Sequence, residues 1–472
     1  MLKIVASLLA LFFAGGVYLQ AESWIDNFRF SAWGRGVITP LAFSGDYSSV
    51  SAATSTPSGF PDVGFTIYGT APGQRIGFVI EAQWNGASPA AGENAKVWVQ
   101  PFDFLRLTAG AFTEDELRGT VAPSEFASWL LPNGGANEDG IFSRFKSTLG
   151  AHFSIRPLLW LDSPWNGLLI AGAFGSNVSP TGTNPGEGRA PRRVEGLDAA
   201  DVFRGMQIAI GYTIPDIGLF RVQFIGNNRA WLVPNYTNNA IPDGQLVWSG
   251  LSMSRDADVV EAAFRFTGVP GLNVDVGVKI PFEYTTDVGF VEYPAMNPHP
   301  PVVSSNGEER IVQRPYAVSL GVNWTPAFFS DLNLTARLDL TFGGWVKEED
   351  VRLINFGTST AIWLLASYRV SDTVRVGLDF GVEMKSVDEW QQPIGRPFPP
   401  ERQGLNGFTD VGIGPWVEME LGGGRIRTGP MIIIPGSPRY FWMGGNSPGH
   451  EFMPAFSGDP VISFPISFTY SF

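Results

Sequence analysis

The chain ends Phe464-Pro465-Ile466-Ser467-Phe468-Thr469-Tyr470-Ser471-Phe472. In an extended strand Phe464, Ile466, Phe468, Tyr470 and Phe472 fall on one face, and Ser467, Thr469 and Ser471 on the other. A soluble sheet can also finish on an amphipathic strand, so the rest of the chain has to decide what wets each face.

Four further segments alternate strictly. Leu332, Leu334, Ala336, Leu338, Leu340 and Phe342 are interleaved with Asn333, Thr335, Arg337, Asp339 and Thr341. Val374, Val376, Leu378, Phe380, Val382 and Met384 are interleaved with Arg375, Gly377, Asp379, Gly381 and Glu383. Residues 273–282 and 258–267 repeat the pattern, with Asp275, Lys279, Glu261 and Arg265 on their polar faces. Soluble strands usually run ~5–6 residues, whereas a tilted strand crossing a bilayer needs ~9–11. These segments have the longer span.

The connections alternate too. Tight links rich in Gly, Pro and Asp stand at 70–73, 101–103, 215–217, 268–272, 371–372 and 422–424. Long ones fall at 39–62, 113–146, 176–203, 228–255, 283–314, 384–408 and 436–460. With the aromatic C-terminus, this order resembles bacterial outer-membrane β-barrels, whose periplasmic turns are short and external loops long. The resemblance implies an all-β fold: a transmembrane antiparallel β-barrel near maltoporin in size. It also implies that Phe472 is read by the barrel-assembly machinery. The hairpin 95–110 looks like a porin hairpin and also like barrels from spirochaetes.

Counting from Phe28 gives about eighteen strands, with sixteen as the alternative if one hairpin is lost. They are expected at 28–37, 63–69, 75–84, 95–100, 104–112, 147–156, 167–175, 204–214, 218–227, 256–267, 273–282, 315–324, 332–342, 359–370, 373–384, 409–421, 425–434 and 461–472. The even count puts both termini on the periplasmic side. The weakest assignments are 95–100, which is short, and the last two hairpins, where Pro415, Pro430 and Pro465 each remove a ladder donor.

At the other end Lys3 precedes an apolar run from Ile4 to Leu19, which predicts a cleaved secretory signal over 1–21 and one barrel domain over 22–472. No later apolar run approaches the ~20 residues of a spanning helix. Phe and Trp are abundant (36 and 15), only 16% of residues are charged, and cysteine is absent. That composition suits an oxidising periplasm without disulfides. A net charge of -13 argues against nucleic acid as a partner.

Strand parity places a basic set on the inner face: Arg29, Arg35, Arg75, Lys96, Arg106, Arg156, Arg221, Arg265, Lys279, Arg337, Arg369, Arg375, Arg425 and Arg427. Inward acids are fewer: Glu81, Glu261, Asp275, Asp339, Asp379, Glu383, Glu418 and Glu420. A packed core could not hold so many charges, so the interior is expected to be hydrated. In porins the third external loop folds into the lumen. The matching segment is 113–146, whose Glu114, Asp115, Glu116 and Glu125 are candidate constriction acids facing the basic wall. The alternative is an ordinary solvated loop. Trp33, Trp98 and Trp363 face inward by parity and could stack sugars, but Trp also populates interfacial girdles.

Gly445-Asn446-Ser447-Pro448-Gly449, followed by His450, matches a hydrolase pattern without the strand and helix that such an elbow needs. His152, His299 and His450 have no metal-ligand spacing, and no cofactor motif is present. The expectation is a non-enzymatic porin for small hydrophilic solutes, anionic or zwitterionic, in contact with outer-membrane lipid. An adhesin using long loops on a barrel platform is one alternative, and a hydrophobic-solute transporter is another. The apolar outer face suits lipid and partner subunits alike, leaving monomer and homotrimer open.

Overall fold

A computed structural model describes residues 28–44, 47–54, 62–85, 88–114, 145–161, 165–175, 206–226, 231–234, 251–254, 258–286, 289–290, 303–304, 310–313, 315–348, 351–386, 407–434, 439–441, 453–455 and 459–471. Eighteen antiparallel strands form one closed ring. In chain order they are β1 (Phe28–Ser44), β2 (Asp62–Thr70), β3 (Ile76–Asn85), β4 (Ser88–Phe102), β5 (Leu105–Glu114), β6 (Phe145–Ile155), β7 (Leu168–Gly175), β8 (Gln207–Ile214) and β9 (Gly218–Ile225). The second half comprises β10 (Val259–Val269), β11 (Leu272–Pro281), β12 (Tyr316–Trp324), β13 (Leu332–Glu348), β14 (Val351–Arg369), β15 (Val374–Ser386) and β16 (Gly407–Leu421). The last two wall strands are broken: β17 (Gly424–Thr428 and Met431–Ile434) and β18 (Val461–Ser463 and Ile466–Ser471).

Each strand pairs with its sequence neighbours, and β1 closes the ring. Gly34 lies opposite Val63 of β2 on one flank and opposite Tyr470 of β18 on the other. Closure leaves no free edge, so each wall strand has a ladder partner on both sides. All eighteen expected strands are present, and several are longer than their alternation suggested. The short segment 95–100 is the end of a fifteen-residue strand, Ser88–Phe102. Its hairpin with β3 closes at Asn85 and Ser88. Residues 343–348 and 351–358 continue the ladder beyond the predicted ends of β13 and β14.

The short connections gather at one rim. Gly73 (φ 78°) and Gln74 (φ 56°) reverse the chain between β2 and β3. Gly422 (φ 53°) and Gly423 (φ 98°) do so between β16 and β17, in the left-handed region glycine tolerates. Arg75 ties two adjacent turns, donating through Nη2 to Asp103 Oδ1 at 2.8 Å and through Nη1 to the Pro101 carbonyl at 3.0 Å. β1 begins and β18 ends at this same rim, as an even strand count requires. Small hairpins extend the opposite rim, including Tyr284–Thr286 with Arg310–Gln313.

Burial is inverted relative to a soluble sheet. Glu261, Asp379 and Asp410 are each 0% exposed, while Phe30 is 53%, Ile210 52% and Leu364 46% exposed. On a closed cylinder side chains crowd on the concave side and diverge on the convex one. The charged face is therefore the inner face, and the apolar face is outside.

Candidate functional site

Long-range register, rather than any local motif, assembles the inner face. Arg221, Arg337 and Arg427 are buried in it. Arg35, Lys96, Arg106, Arg265, Lys279 and Arg375 are half-buried. The other five, Arg29, Arg75, Arg156, Arg369 and Arg425, are exposed and stand at or next to the short-turn rim. Arg75 precedes β3 and Arg156 follows β6, so both occupy turns instead of the strands expected for them. Arg369 lies directly opposite Arg375 at the foot of the β14–β15 pair.

Most of the deeper cations already face a carboxylate. Lys279 Nζ is 3.4 Å from Glu261 Oε1, and Gln223 Nε2 donates to Glu261 Oε2 at 2.5 Å. Arg265 Nε donates to Asp275 Oδ1 at 3.0 Å. Arg337 Nε donates to Asp339 Oδ1 at 3.1 Å, and the same carboxylate oxygen accepts from Ser319 Oγ at 2.5 Å. Arg427 donates through Nε and Nη2 to Glu418 Oε2 at 2.9 and 2.6 Å. Arg375 reaches Glu420 at 3.9 Å. These charges sit on neighbouring strands or two residues apart on one strand, where period-2 geometry puts side chains side by side.

Tryptophans supply a second layer. Indoles of Trp98, Trp363 and Trp416 lie buried on the inner face. Guanidinium carbons of Arg106, Arg337 and Arg427 stand 4.6, 5.2 and 4.2 Å from their respective ring centres, within cation–π range. A glycine on the adjacent strand makes room for two of them: Gly77 lies beneath Trp98, and Gly377 beneath Trp416. Across Gly77 the Trp98 ring meets Tyr68, centroids 5.5 Å apart. Trp33 carries a similar contact with Arg35 at 5.8 Å.

Trp416, Asp410, Thr108, Gln223 and His152 join this face although the sequence analysis did not single them out for it. The signal was available, because Asp410 and Trp416 share the parity of Glu418. Thr108 is opposite Trp98 on one side and His152 on the other. Glu114 closes β5 opposite Phe145. Asp115, Glu116 and Glu125 lie outside the described residues, as do Phe472, His299, His450 and the 445–449 segment. Among the described residues no group of three or more His, Cys, Asp or Glu side chains is arranged to hold a metal ion.

No family model matches the chain. No curated protein matches it either. Among solved structures, it is similar to OmpT, an outer membrane protein of Vibrio cholerae in a trimer form, at 10% identity and a TM-score of 0.46, covering 95% of this chain and 100% of that one. It is also similar to an anion-selective porin from Comamonas acidovorans at 10% identity and a TM-score of 0.45, covering 94% and 100%. OprB of Pseudomonas putida is matched at 10% identity and a TM-score of 0.42, covering 98% and 97%.

Proposed function

We propose that this chain is an outer-membrane porin through which small hydrophilic solutes diffuse passively. One observation carries the reading: the closed ring keeps its acids, guanidiniums and amides on the concave side and exposes Phe, Leu and Ile on the convex side. Lipid solvates an apolar outer belt, and an interior of eighteen-strand width has space for water. The short-turn rim, where β1 begins and β18 ends, faces the periplasm, and the long loops face outward. Residues 1–21 direct export, 22–472 form the barrel, and Phe472 serves the assembly machinery.

The basic residues, from Arg29 and Arg35 at one flank to Arg425 and Arg427 at the other, line the channel and bias it toward anions or zwitterions. Segment 113–146 narrows it. The apolar belt accommodates lipid or the faces of a homotrimer. Planar-bilayer recording tests the reading. Purified protein should insert and give discrete ohmic steps, and a protein that inserts but never conducts would overturn it.

A further inference from the structure

We infer that Arg106, held on Trp98 beside Thr108, is a carboxylate-binding station on the inner wall, which one carboxylate-bearing solute occupies at a time. The inference deepens the channel reading and rests on it only for the route by which solute arrives.

Three well-stacked Arg–Trp pairs allow an internal comparison. Stacking uses the face of a guanidinium and leaves its in-plane N–H edge available, and that edge fits the two oxygens of a carboxylate. In two pairs the protein fills the edge itself. Arg427 on Trp416 donates twice to Glu418, and Arg337 on Trp363 donates through Nε to Asp339 Oδ1 at 3.1 Å, with its Nη2 in ion-pair contact with Oδ2 at 2.8 Å. The third pair is built the same way, with Trp98 lying over Gly77 as Trp416 lies over Gly377. Yet Arg106 meets no carboxylate among the described residues, and its buried Nε has no hydrogen-bond partner.

Thr108 supplies the independent observation. It is two residues along the same strand face, 3% exposed, and its buried Oγ1 also has no partner among the described residues. Two adjacent polar groups without partners, one of them cationic, carry the desolvation cost of a site whose acceptor comes from outside. The other side chains facing this point fit an anion. Ser154 stands opposite Arg106, and half-buried Lys96 lies two residues from Trp98 on the same face. Glu81, an inner acid of β3, accepts from Asn94 Nδ2 at 3.3 Å. The protein's own choice of partner in the two filled stacks identifies the ligand chemistry as a carboxylate.

Single-channel conductance against salt concentration, in potassium acetate and in potassium chloride, provides the test. Acetate current through the wild type should saturate, and Arg106→Gln should raise the half-saturating concentration about tenfold or more, the weight of a charged hydrogen bond. Thr108→Val keeps the stack and volume and should raise it a few-fold, which covers the case of an Arg106→Gln barrel that does not fold. Acetate conductance linear in the wild type, or half-saturation unmoved by both variants, would overturn the station. A barrel that inserts and passes neither salt removes the channel reading instead. Calorimetry in detergent then decides the site alone: acetate binding heat in the wild type and none in Arg106→Gln supports it, and no heat in the wild type overturns it.

Discussion

Leu364 and Leu365 are consecutive in β14 yet stand on opposite sides of the barrel wall. Leu364 is 46% exposed on the outside, opposite Ala336 and Phe380. Leu365 is half-buried inside, opposite the fully buried Asp379. An arginine at the first position would have to leave lipid, whereas at the second it would meet a carboxylate. Leu364→Arg should therefore cost about 2–4 kcal/mol of stability in vesicles, and Leu365→Arg much less. Urea unfolding of both variants in the same lipid checks this, and equal losses would contradict the inside-out assignment.

Removing Glu418 strands a buried guanidinium. Arg427 is 9% exposed and Glu418 3%, so Glu418→Ala should destabilise by about 3 kcal/mol, the usual consequence of breaking a buried pair from one side. The double variant Glu418→Ala with Arg427→Ala should recover part of the loss. Denaturant midpoints of the three proteins measure it.

Gly77 has an indole where a side chain would be. A methyl group there would meet the Trp98 ring, so Gly77→Ala must tilt the ring or spread β3 from β4, at about 1–3 kcal/mol. The same change at Gly73, whose Cβ position is open, acts through its φ of 78° alone and should cost about 1 kcal/mol. Thermal unfolding in detergent should rank Gly77→Ala as the more damaging.

Wall charge should govern ion preference. Replacing Arg337 and Arg375 by alanine removes two cations that face Asp339 and Glu420, so reversal potentials in asymmetric potassium chloride should move toward cation selectivity. An unchanged reversal potential would remove the charge argument from the channel reading.

Four prolines fall near one level of the closing strands. The β16–β17 register runs from Val417 opposite Thr428 to Ile413 opposite Ile432, which sets Pro415 against Pro430. Pro465 interrupts β18 beside them, where its carbonyl accepts from Thr428 Oγ1 at 3.1 Å. Pro40 of β1 stands two residues after Ile38, the partner of Ile466. Each lacks a ladder donor. Hydrogen exchange should be faster at the amides flanking 415, 430 and 465 than along β14–β15, which pairs without interruption from Thr358 with Ser386 to Arg369 with Arg375.

Much of this was legible along the chain. Alternation in 332–342 and 373–384 located two of the wall strands, and their parity named Arg337, Asp379 and Glu383 as inner residues because strand geometry has a period of two. The last two hairpins looked weak because of their prolines, and the structure keeps both: β16 runs unbroken through Pro415, whereas β17 and β18 are broken at Pro430 and Pro465. Strand length was harder to see. Residues 88–94 carry Pro, Gly, Ala and Asn, and 343–348 and 351–358 carry Gly343-Gly344 and several charges, which resemble loop residues until a partner strand pairs with them.

The amino-acid order by itself determined that one side of each strand is oily and the other is not, since adjacent side chains must point opposite ways. Only the closed ring decided which polar groups meet. Arg427 finds Glu418, Trp98 finds the gap at Gly77, and Arg106 is left with its edge open, because lateral register between strands depends on every turn and hairpin around the circumference.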